Sequence, residues 1–193
     1  MTIKPGVAWG EPAAPSADAI TVDSDRKVSL ALDAARRSGE PFPTFHLTGG
    51  DIFKTVGGAT GMAFPLDVGE VLLDGRLCIF VAHLVAQASG WRHFVVAMNA
   101  PWMSAWNFGP KAHLNDGALD IADARLKAFE WPRVRARLPT GSHLPHPRIE
   151  THRTKAMAFE FPGGAAITID GEKVGTARHV AIRVLPDALR IYT

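Results

Sequence analysis

Large apolar residues alternate with smaller or polar ones in short runs along much of the chain, a pattern typical of antiparallel β-strands. The alternation is clearest over residues 157–161 and 180–184. Asp74-Gly75 interrupts the apolar stretch 71–81. Because Asp-Gly fits a tight two-residue turn, this interruption predicts a β-hairpin.

Glycine and proline divide the rest of the C-terminal half into further short segments. Buried strands are predicted over residues 93–98 and 118–121. We expect the chain to turn at three more places, namely Pro162-Gly163-Gly164, Gly171 and Pro186-Asp187. Strands at this spacing predict antiparallel sheets packed as a β-sandwich or a partly closed barrel.

Only the N-terminal region has the periodicity of helices. Apolar residues recur at helical spacing from Asp25 to Arg37, Ser24 is placed to cap the helix, and Ser38-Gly39 ends it. A second, short helix is predicted over residues 51–56. The fold class predicted from these elements is therefore α+β, mainly an antiparallel β-sandwich with a short N-terminal helical segment.

Length and composition fit a single medium-sized globular unit. The chain has 193 residues, 47% of them apolar and 21% charged, and a formal net charge of +2. This charge argues neither for nor against nucleic acid. The one cysteine, Cys78, excludes an internal disulfide and is expected to be a buried thiol. Since no apolar run is long enough to span a bilayer, we expect a cytoplasmic protein.

The turn Thr48-Gly49-Gly50-Asp51 is the first candidate for chemistry. It precedes a predicted helix, so its backbone N–H groups and the Thr48 hydroxyl would suit a phosphate. The alternative is an ordinary glycine turn in which Asp51 caps the helix.

The second candidate is Asp170-Gly171-Glu172, in which two carboxylates flank a glycine at the end of a strand. A carboxylate placed there could accept the proton of an attacking hydroxyl group or help to hold Mg²⁺. The alternative is a plain hairpin turn. We expect Asp170→Asn to abolish any transfer activity and to leave the fold intact, because asparagine tolerates a turn conformation.

Asp116 is a weaker candidate, in the loop Asn115-Asp116-Gly117. It could hold Mg²⁺ together with nearby carbonyl oxygens, but a single carboxylate makes a poor site. The alternative is a turn in which Asp116 bonds to its own backbone.

Two further groups of residues have an open interpretation. Trp102 and Trp106, with Asn99 nearby, could line a ligand pocket suited to an acyl chain, or they could form plain core. Alternating arginines, which a strand would place on one face, could attract anionic phospholipid or simply be solvated; they are Arg133, Arg135 and Arg137.

Several of these motifs, taken in order, resemble the diacylglycerol kinase catalytic family. Its Gly-Thr-Gly-Asn-Asp stretch, followed by a basic residue and Leu-Gly, is matched here by Thr48, Gly49, Asp51, Lys54, Val56 and Gly57. Leu47 and Gly50 depart from the pattern, in place of a glycine and an asparagine. The strand ending at Asn99, the stretch 109–121 and the Asp170-Gly171-Glu172 turn also resemble family segments.

The resemblance implies a lipid-kinase fold of which mainly the second, β-rich domain is present, over residues 43–193. Residues 1–42 would be a remnant of the nucleotide-binding domain. The family's Gly-Gly-Asp-Gly-Thr phosphate loop is missing, because Val22-Asp23-Ser24-Asp25-Arg26 stands ahead of the first helix. Without those glycines, the backbone cannot approach a phosphate closely.

Two functions follow from the resemblance and stay open at this point. The chain would transfer phosphate from ATP to a diacylglycerol-like hydroxyl with Mg²⁺, with Asp170 and Glu172 as catalytic residues and Thr48 to Asp51 at the phosphates. A homodimer or a partner subunit would then complete the site. Alternatively, the chain is a pseudokinase that binds a lipid or a small phosphorylated ligand. Neither function involves nucleic acid, and membrane contact would be peripheral at most.

Overall fold

A computed structural model describes residues 9–58, 60–88 and 93–193. Strands dominate the described residues. They are β1 Glu11–Pro12, β2 Ile20–Val22, β3 Phe45–Leu47, β4 Met62–Leu73, β5 Arg76–Phe80, β6 His83–Ala88, β7 Phe94–Met98, β8 Trp102–Met103, β9 Trp106–Asn107, β10 Leu119–Ala124, β11 Ile149–Thr154, β12 Ala156–Ile169 and β13 Glu172–Tyr192. The helices are α1 Asp25–Ser38, α2 Gly50–Thr55 and α3 Trp131–Arg137.

The strands form one large, mainly antiparallel sheet, which confirms the predicted fold class. Its order is β1-β4-β13-β12-β6-β7-β10-β11, with β5 paired to β4. Strands β8 and β9 make a separate small hairpin. Among the described strands, only the pairings of β3 with β2 and with β13 are parallel, and they attach the N-terminal segment to the sheet. The boundary proposed near residue 43 stays a prediction.

The long strand β13 connects most of the sheet. Its first half pairs with β12 and its second half with β4, and Ile191 and Tyr192 also pair with Phe45 and His46 of β3. The tight turn at Gly171, between β12 and β13, is confirmed by the pairing of Ile169 with Glu172.

Two of the predicted turns are wrong. Pro162-Gly163-Gly164 lies inside β12, where a register shift falls between Glu160 and Ala165, and the strand continues in the same direction. Pro186-Asp187 likewise lies at a register shift inside β13. Both sites are β-bulges, which use the same glycine, proline and aspartate residues as turns do.

The predicted arginine strand is also wrong. Arg133, Arg135 and Arg137 lie on helix α3, which begins beside Pro132 and buries Val134. Leu138, which starts the following 3₁₀ turn, is buried one helical turn after Val134. Successive helical residues are about 100° apart, so Arg133 and Arg137 lie on one face of α3 and Arg135 lies on the opposite face.

The predicted helices are confirmed as α1 and α2. Helix α1 ends at Gly39, whose φ of 73° is the left-handed conformation that favours glycine. Ser24 stands at the N-cap position, but its side chain makes no capping bond. Helix α1 packs Val28 and Leu32 against β4 and β5 in a fully buried cluster. In the described part of the chain, no helix is long and apolar enough to cross a membrane.

The close packing of β4 against β5 gives a first prediction. Gly69 pairs with Phe80, and a Cβ at Gly69 would lie 2.1 Å from Cζ of that buried ring. We expect Gly69→Ala to lower the free energy of unfolding by about 3 kcal/mol, measured by urea denaturation, because an overpacked core must shift. Gly163→Ala is the matched control, since a Cβ there meets nothing within 4 Å; equal losses would contradict the overpacking argument.

Candidate functional site

Three carboxylates from distant parts of the chain meet at one shallow depression with a volume of about 570 Å³. Asp25 comes from the start of α1, Asp51 from the first turn of α2, and Asp170 from the β12–β13 turn. The structure therefore brings together the two motifs singled out in the sequence. The depression is lined by Ser24, Asp25, Gly50, Asp51, Lys54, Ser104, Ala105 and Asp170.

Asp170 lies at the centre of the site, because its carboxylate connects the β12–β13 turn to the turn between β5 and β6. It has a φ of 46°, and its two oxygens accept the backbone N–H groups of Val81 at 3.0 Å, Ala82 at 2.9 Å and His83 at 2.9 Å. Burial raises the pKa of this carboxyl group, although the three N–H groups act in the opposite direction. Both oxygens are thus engaged within the protein.

Glu172, the other carboxylate of the motif, is engaged as well. Its Oε2 accepts a hydrogen bond from Nε of Arg26 on α1 at 2.9 Å. Arg26 Nη1 also donates to the Ser29 hydroxyl at 3.3 Å. The ion pair connects the first residue of β13 to α1, and it partly neutralises the charge that a catalytic role would require.

Asp25 occupies the turn that the sequence predicts for a phosphate. Its Oδ2 accepts the N–H of Asp51 at 2.6 Å, and its Oδ1 accepts the N–H of Ile52 at 3.3 Å. These are N–H groups of the first turn of α2, which have no partner within the helix. Burial, and then the charge of Asp170, raises the pKa of Asp25 to about 7.

Gly50 makes room for this arrangement. Its φ is +99°, and a Cβ built there would lie 2.5 Å from Oδ1 of Asp25. Gly49 is similarly close to the backbone, since its Cβ would lie 2.5 Å from the Asp23 carbonyl oxygen. The Thr48 hydroxyl donates to the Val22 carbonyl at 3.2 Å. The predicted phosphate turn is therefore filled by the chain itself.

Asp51 and Lys54 frame the outer side of the depression. Asp51 Oδ1 accepts the N–H of Ser104 at 2.7 Å, while Lys54 Nζ donates to the carbonyl of the same residue at 2.7 Å. The Lys54 ammonium also lies 4.3 Å from the centre of the Trp102 ring. Burial raises the pKa of Asp51. Both side chains fix the β8–β9 hairpin over α2.

His83 is a buried member of the site that the sequence analysis missed. Its Nε2 lies 2.9 Å from the Ala100 carbonyl, and its Nδ1 lies 3.7 Å from Oδ2 of Asp51. Burial lowers the pKa of His83 to about 4, so the ring is neutral at pH 7. A polar residue at the end of the apolar run 77–82 was the available signal.

The contacts of Asp116 are those of a turn in which the side chain bonds to its own backbone. Its Oδ1 accepts the N–H of Ala118, two residues further along the chain, at 3.1 Å, and its Oδ2 accepts from Arg153 Nη2 at 2.5 Å. The buried carboxylate beside this loop is Asp67, which accepts the N–H groups of Gly117 and Asp187. Burial raises the pKa of Asp67 to about 6.

The predicted ligand-pocket residues are not all brought together. Asn99 is fully buried, and its Nδ2 donates to the carbonyls of Asp67 and Val81, so it has a structural role. Trp102 lies beside the depression through its contact with Lys54. Trp106, on the other strand of the small hairpin, contacts Phe108 and Arg135 instead.

The groups that the sequence predicts for Mg²⁺ and for the phosphates of ATP already have partners within the chain. Among the described residues, no group of three or more histidine, cysteine, aspartate or glutamate side chains is placed to hold a metal ion. Mg²⁺ needs free oxygen ligands, but both oxygens of Asp170 accept backbone N–H groups and Glu172 faces Arg26. The helix N–H groups that would meet a phosphate already bind Asp25.

Comparison with known proteins supports the resemblance seen in the sequence. Residues 71–193 match the family model described as the YegS C-terminal NAD kinase beta sandwich-like domain. No curated protein matches the chain. These findings bear on the fold and the family, and not on the individual site residues.

Two solved structures from one organism have a similar fold. One, described as "A putative diacylglycerol kinase from Bacillus anthracis str. Sterne", has a TM-score of 0.68 at 15% identity, and the match covers 91% of this chain and 78% of that one. Another, described as one of the "diacylglycerol kinases" of the same strain, has a TM-score of 0.59 at 16% identity, covering 91% and 76%. At such low identity, the likeness shows the fold alone.

Proposed function

Since the chain belongs to the YegS C-terminal NAD kinase beta sandwich-like family, we propose that it is a lipid-kinase-like protein that binds a lipid or a small phosphorylated ligand without transferring phosphate as a lone chain. One observation carries this proposal. The carboxylate of Asp25 accepts the N–H groups at the start of α2, which are the groups that a nucleotide phosphate would need.

The charge of the depression supports the same proposal. Asp25, Asp51 and Asp170 line it, and Lys54 is the one cationic side chain among its lining residues. A phosphate about 4 Å from a carboxylate is repelled by about 4 kcal/mol at the effective dielectric constant of a protein surface. Nucleotide binding is therefore opposed while Asp25 is ionised, which is the case above its pKa of about 7.

The second candidate function is phosphoryl transfer from ATP to a lipid hydroxyl. It is favoured by Asp170, whose pKa is raised by burial and which lies at the same depression as Asp51. A general base is most effective when its pKa lies near the working pH. In this case, a partner subunit or a second copy of the chain would supply the nucleotide site and Asp170 would accept the hydroxyl proton.

The two candidates are separated by calorimetric titration with ATP and Mg²⁺. We expect no saturable binding by the wild-type protein at millimolar ATP, and at least tenfold tighter binding by Asp25→Gly, because that change frees the N–H groups of α2. Asp23→Gly is the matched control, since Asp23 is exposed and pairs with Lys27. Micromolar binding by the wild type would overturn the proposal and favour phosphoryl transfer.

The ligand is tested with two short-chain probes, dihexanoyl phosphatidic acid and dihexanoyl glycerol, by ligand-observed NMR. We expect saturation transfer from the wild-type protein to at least one of them, and competition by inorganic phosphate if the headgroup is what binds. Saturation transfer to neither probe would exclude a lipid-binding role.

A further inference from the structure

The strongest concentration of charge in the chain lies away from the carboxylate site. Residues 125–137 hold five of the 21 lysines and arginines but one of the 19 acidic residues. The rest of the chain therefore carries a slight excess of acidic residues. Five exposed residues of this segment are here called the 125–137 surface, namely Arg125, Lys127, Phe129, Arg133 and Arg137. Arg135 lies over the Trp106 ring instead.

The cations of this surface are largely free of acidic partners. Glu130, the one acidic residue of the segment, pairs with Arg148 at 3.2 Å, and Arg125 lies 3.6 Å from Asp123. Within the described ranges, no ion pair involves the basic groups on either side of Glu130, namely Lys127, Arg133, Arg135 and Arg137.

An apolar side chain projects from the same surface. Phe129 is 69% exposed, the most exposed large hydrophobic residue in the described part of the chain. The Lys127 ammonium lies 5.7 Å from the centre of its ring. The turn that presents Phe129 is fixed, because the N–H of Lys127 donates to Glu130 Oε2 at 2.7 Å and the N–H of Glu130 donates to the Lys127 carbonyl at 2.9 Å.

The scaffold behind this surface is also well anchored. Trp131 contacts Phe94 at a ring distance of 5.0 Å, Val134 packs in the same apolar cluster of the sheet, and Leu138 is buried in the following 3₁₀ turn. Presenting Phe129 and its neighbouring cations therefore requires no unfolding. A rigid surface binds with a smaller loss of conformational freedom than a flexible one.

We propose that the 125–137 surface docks the protein on anionic phospholipid bilayers, with Phe129 entering the headgroup region. The cations complement anionic headgroups, and an exposed aromatic ring among them is suited to the interface between headgroups and acyl chains. Duplex DNA would use the cations, but its paired bases are already stacked and would leave the ring without a partner of its own. The inference does not rest on the proposed function, since vesicles free of diacylglycerol and nucleotide test it.

The test is co-sedimentation of the full chain with vesicles. We expect binding to vesicles of 30% phosphatidylglycerol in phosphatidylcholine at 50 mM salt, little binding to pure phosphatidylcholine, and release at 500 mM salt. Each basic group near such a surface strengthens binding about fivefold. The double change Arg133→Gln and Arg137→Gln should therefore weaken binding roughly 20-fold, and Phe129→Ala should weaken it about tenfold.

The matched control is the pair Lys173→Gln and Arg178→Gln, which removes the same charge from exposed positions on β13. It should weaken binding less than threefold. Equal weakening by both pairs, or binding to duplex DNA but not to vesicles, would overturn the proposal. An environment-sensitive dye attached to the thiol of Phe129→Cys reports insertion into the bilayer, because the other thiol, Cys78, is buried. Vesicle binding without a blue shift of the dye's emission would exclude entry of residue 129 into the headgroup region.

Discussion

Asp170→Ala is expected to lower the free energy of unfolding by about 4 kcal/mol. The change removes the acceptor for three backbone N–H groups, those of Val81, Ala82 and His83, and an unsatisfied buried donor costs about 1–3 kcal/mol. Alanine also tolerates the φ of 46° poorly. Relief of the unfavourable burial of the Asp170 charge offsets part of this loss.

Asp74→Ala is the matched control for that substitution. Asp74 has a φ of 47° and likewise accepts backbone N–H groups, from Arg178 and His179, but in an exposed turn. Water replaces the lost acceptor there, so the loss measured by chemical denaturation should be much smaller. Equal losses in the two variants would show that burial of the Asp170 carboxylate contributes little to stability.

The same contacts revise the expectation for Asp170→Asn. Asparagine keeps the turn conformation, as expected from the sequence, but it has one acceptor oxygen where aspartate uses two. Its amide group must face either Val81 or the pair Ala82 and His83. We therefore expect Asp170→Asn to destabilise the fold by about 1–2 kcal/mol, so an activity measurement on this variant needs a stability measurement beside it.

Asp25→Asn is expected to change the pH dependence of stability. The pKa of Asp25 is raised to about 7 in the folded protein, whereas an unfolded aspartate titrates near 3.9. Between these values the folded state binds more protons than the unfolded state, so this group makes stability fall as pH rises. Over about three pH units, its contribution falls by about 4 kcal/mol.

The asparagine variant lacks this loss. Its free energy of unfolding relative to that of the wild type should therefore increase as pH rises from 4 to 7. At pH 4 it should be less stable by about 1 kcal/mol, because the amide cannot accept both N–H groups of α2 as well. Above pH 7 it should be the more stable protein by about 2–3 kcal/mol. Urea denaturation at several pH values measures the difference, and a constant difference would contradict the raised pKa of Asp25.

The pH profile of Asp25→Asn must be compared with that of a control variant, because other groups titrate in the same pH range. The pKa of Asp67 is raised to about 6, which also makes stability fall between pH 4 and 6. The pKa of His83 is lowered to about 4, so the unfolded state binds more protons up to about pH 6.5 and stability rises with pH. Asp23→Asn, at an exposed neighbouring position, should give a profile parallel to that of the wild type above pH 4.

Local signals in the sequence were sufficient for elements that depend on near neighbours. Helix α1 was predictable because Gly39 and the apolar spacing of Val28 and Leu32 determine it within one segment. The Asp74-Gly75 hairpin is determined in the same way. The bulges inside β12 and β13 were not predictable. A bulge and a turn use the same residue types, and they differ only in which distant strands pair with the chain on either side.

The candidate site shows the same limit. Asp51 and Asp170, from the two motifs, line one depression, but nothing in the sequence near Thr48 shows that the Asp25 side chain binds the start of α2. His83 was missed because burial between two turns follows from tertiary packing, and not from the pattern around it.

The fit between Asp25 and Gly50 has a consequence for how such a chain can arise. A side chain at position 50 would collide with the Asp25 carboxylate, so a precursor with asparagine there, as in the diacylglycerol kinase family, would not have accepted Asp25 in its present position. Loss of the asparagine is therefore expected to come first, and acquisition of Asp25 second. Once both changes are present, restoring a side chain at position 50 alone is unfavourable, so position 25 would have to change first.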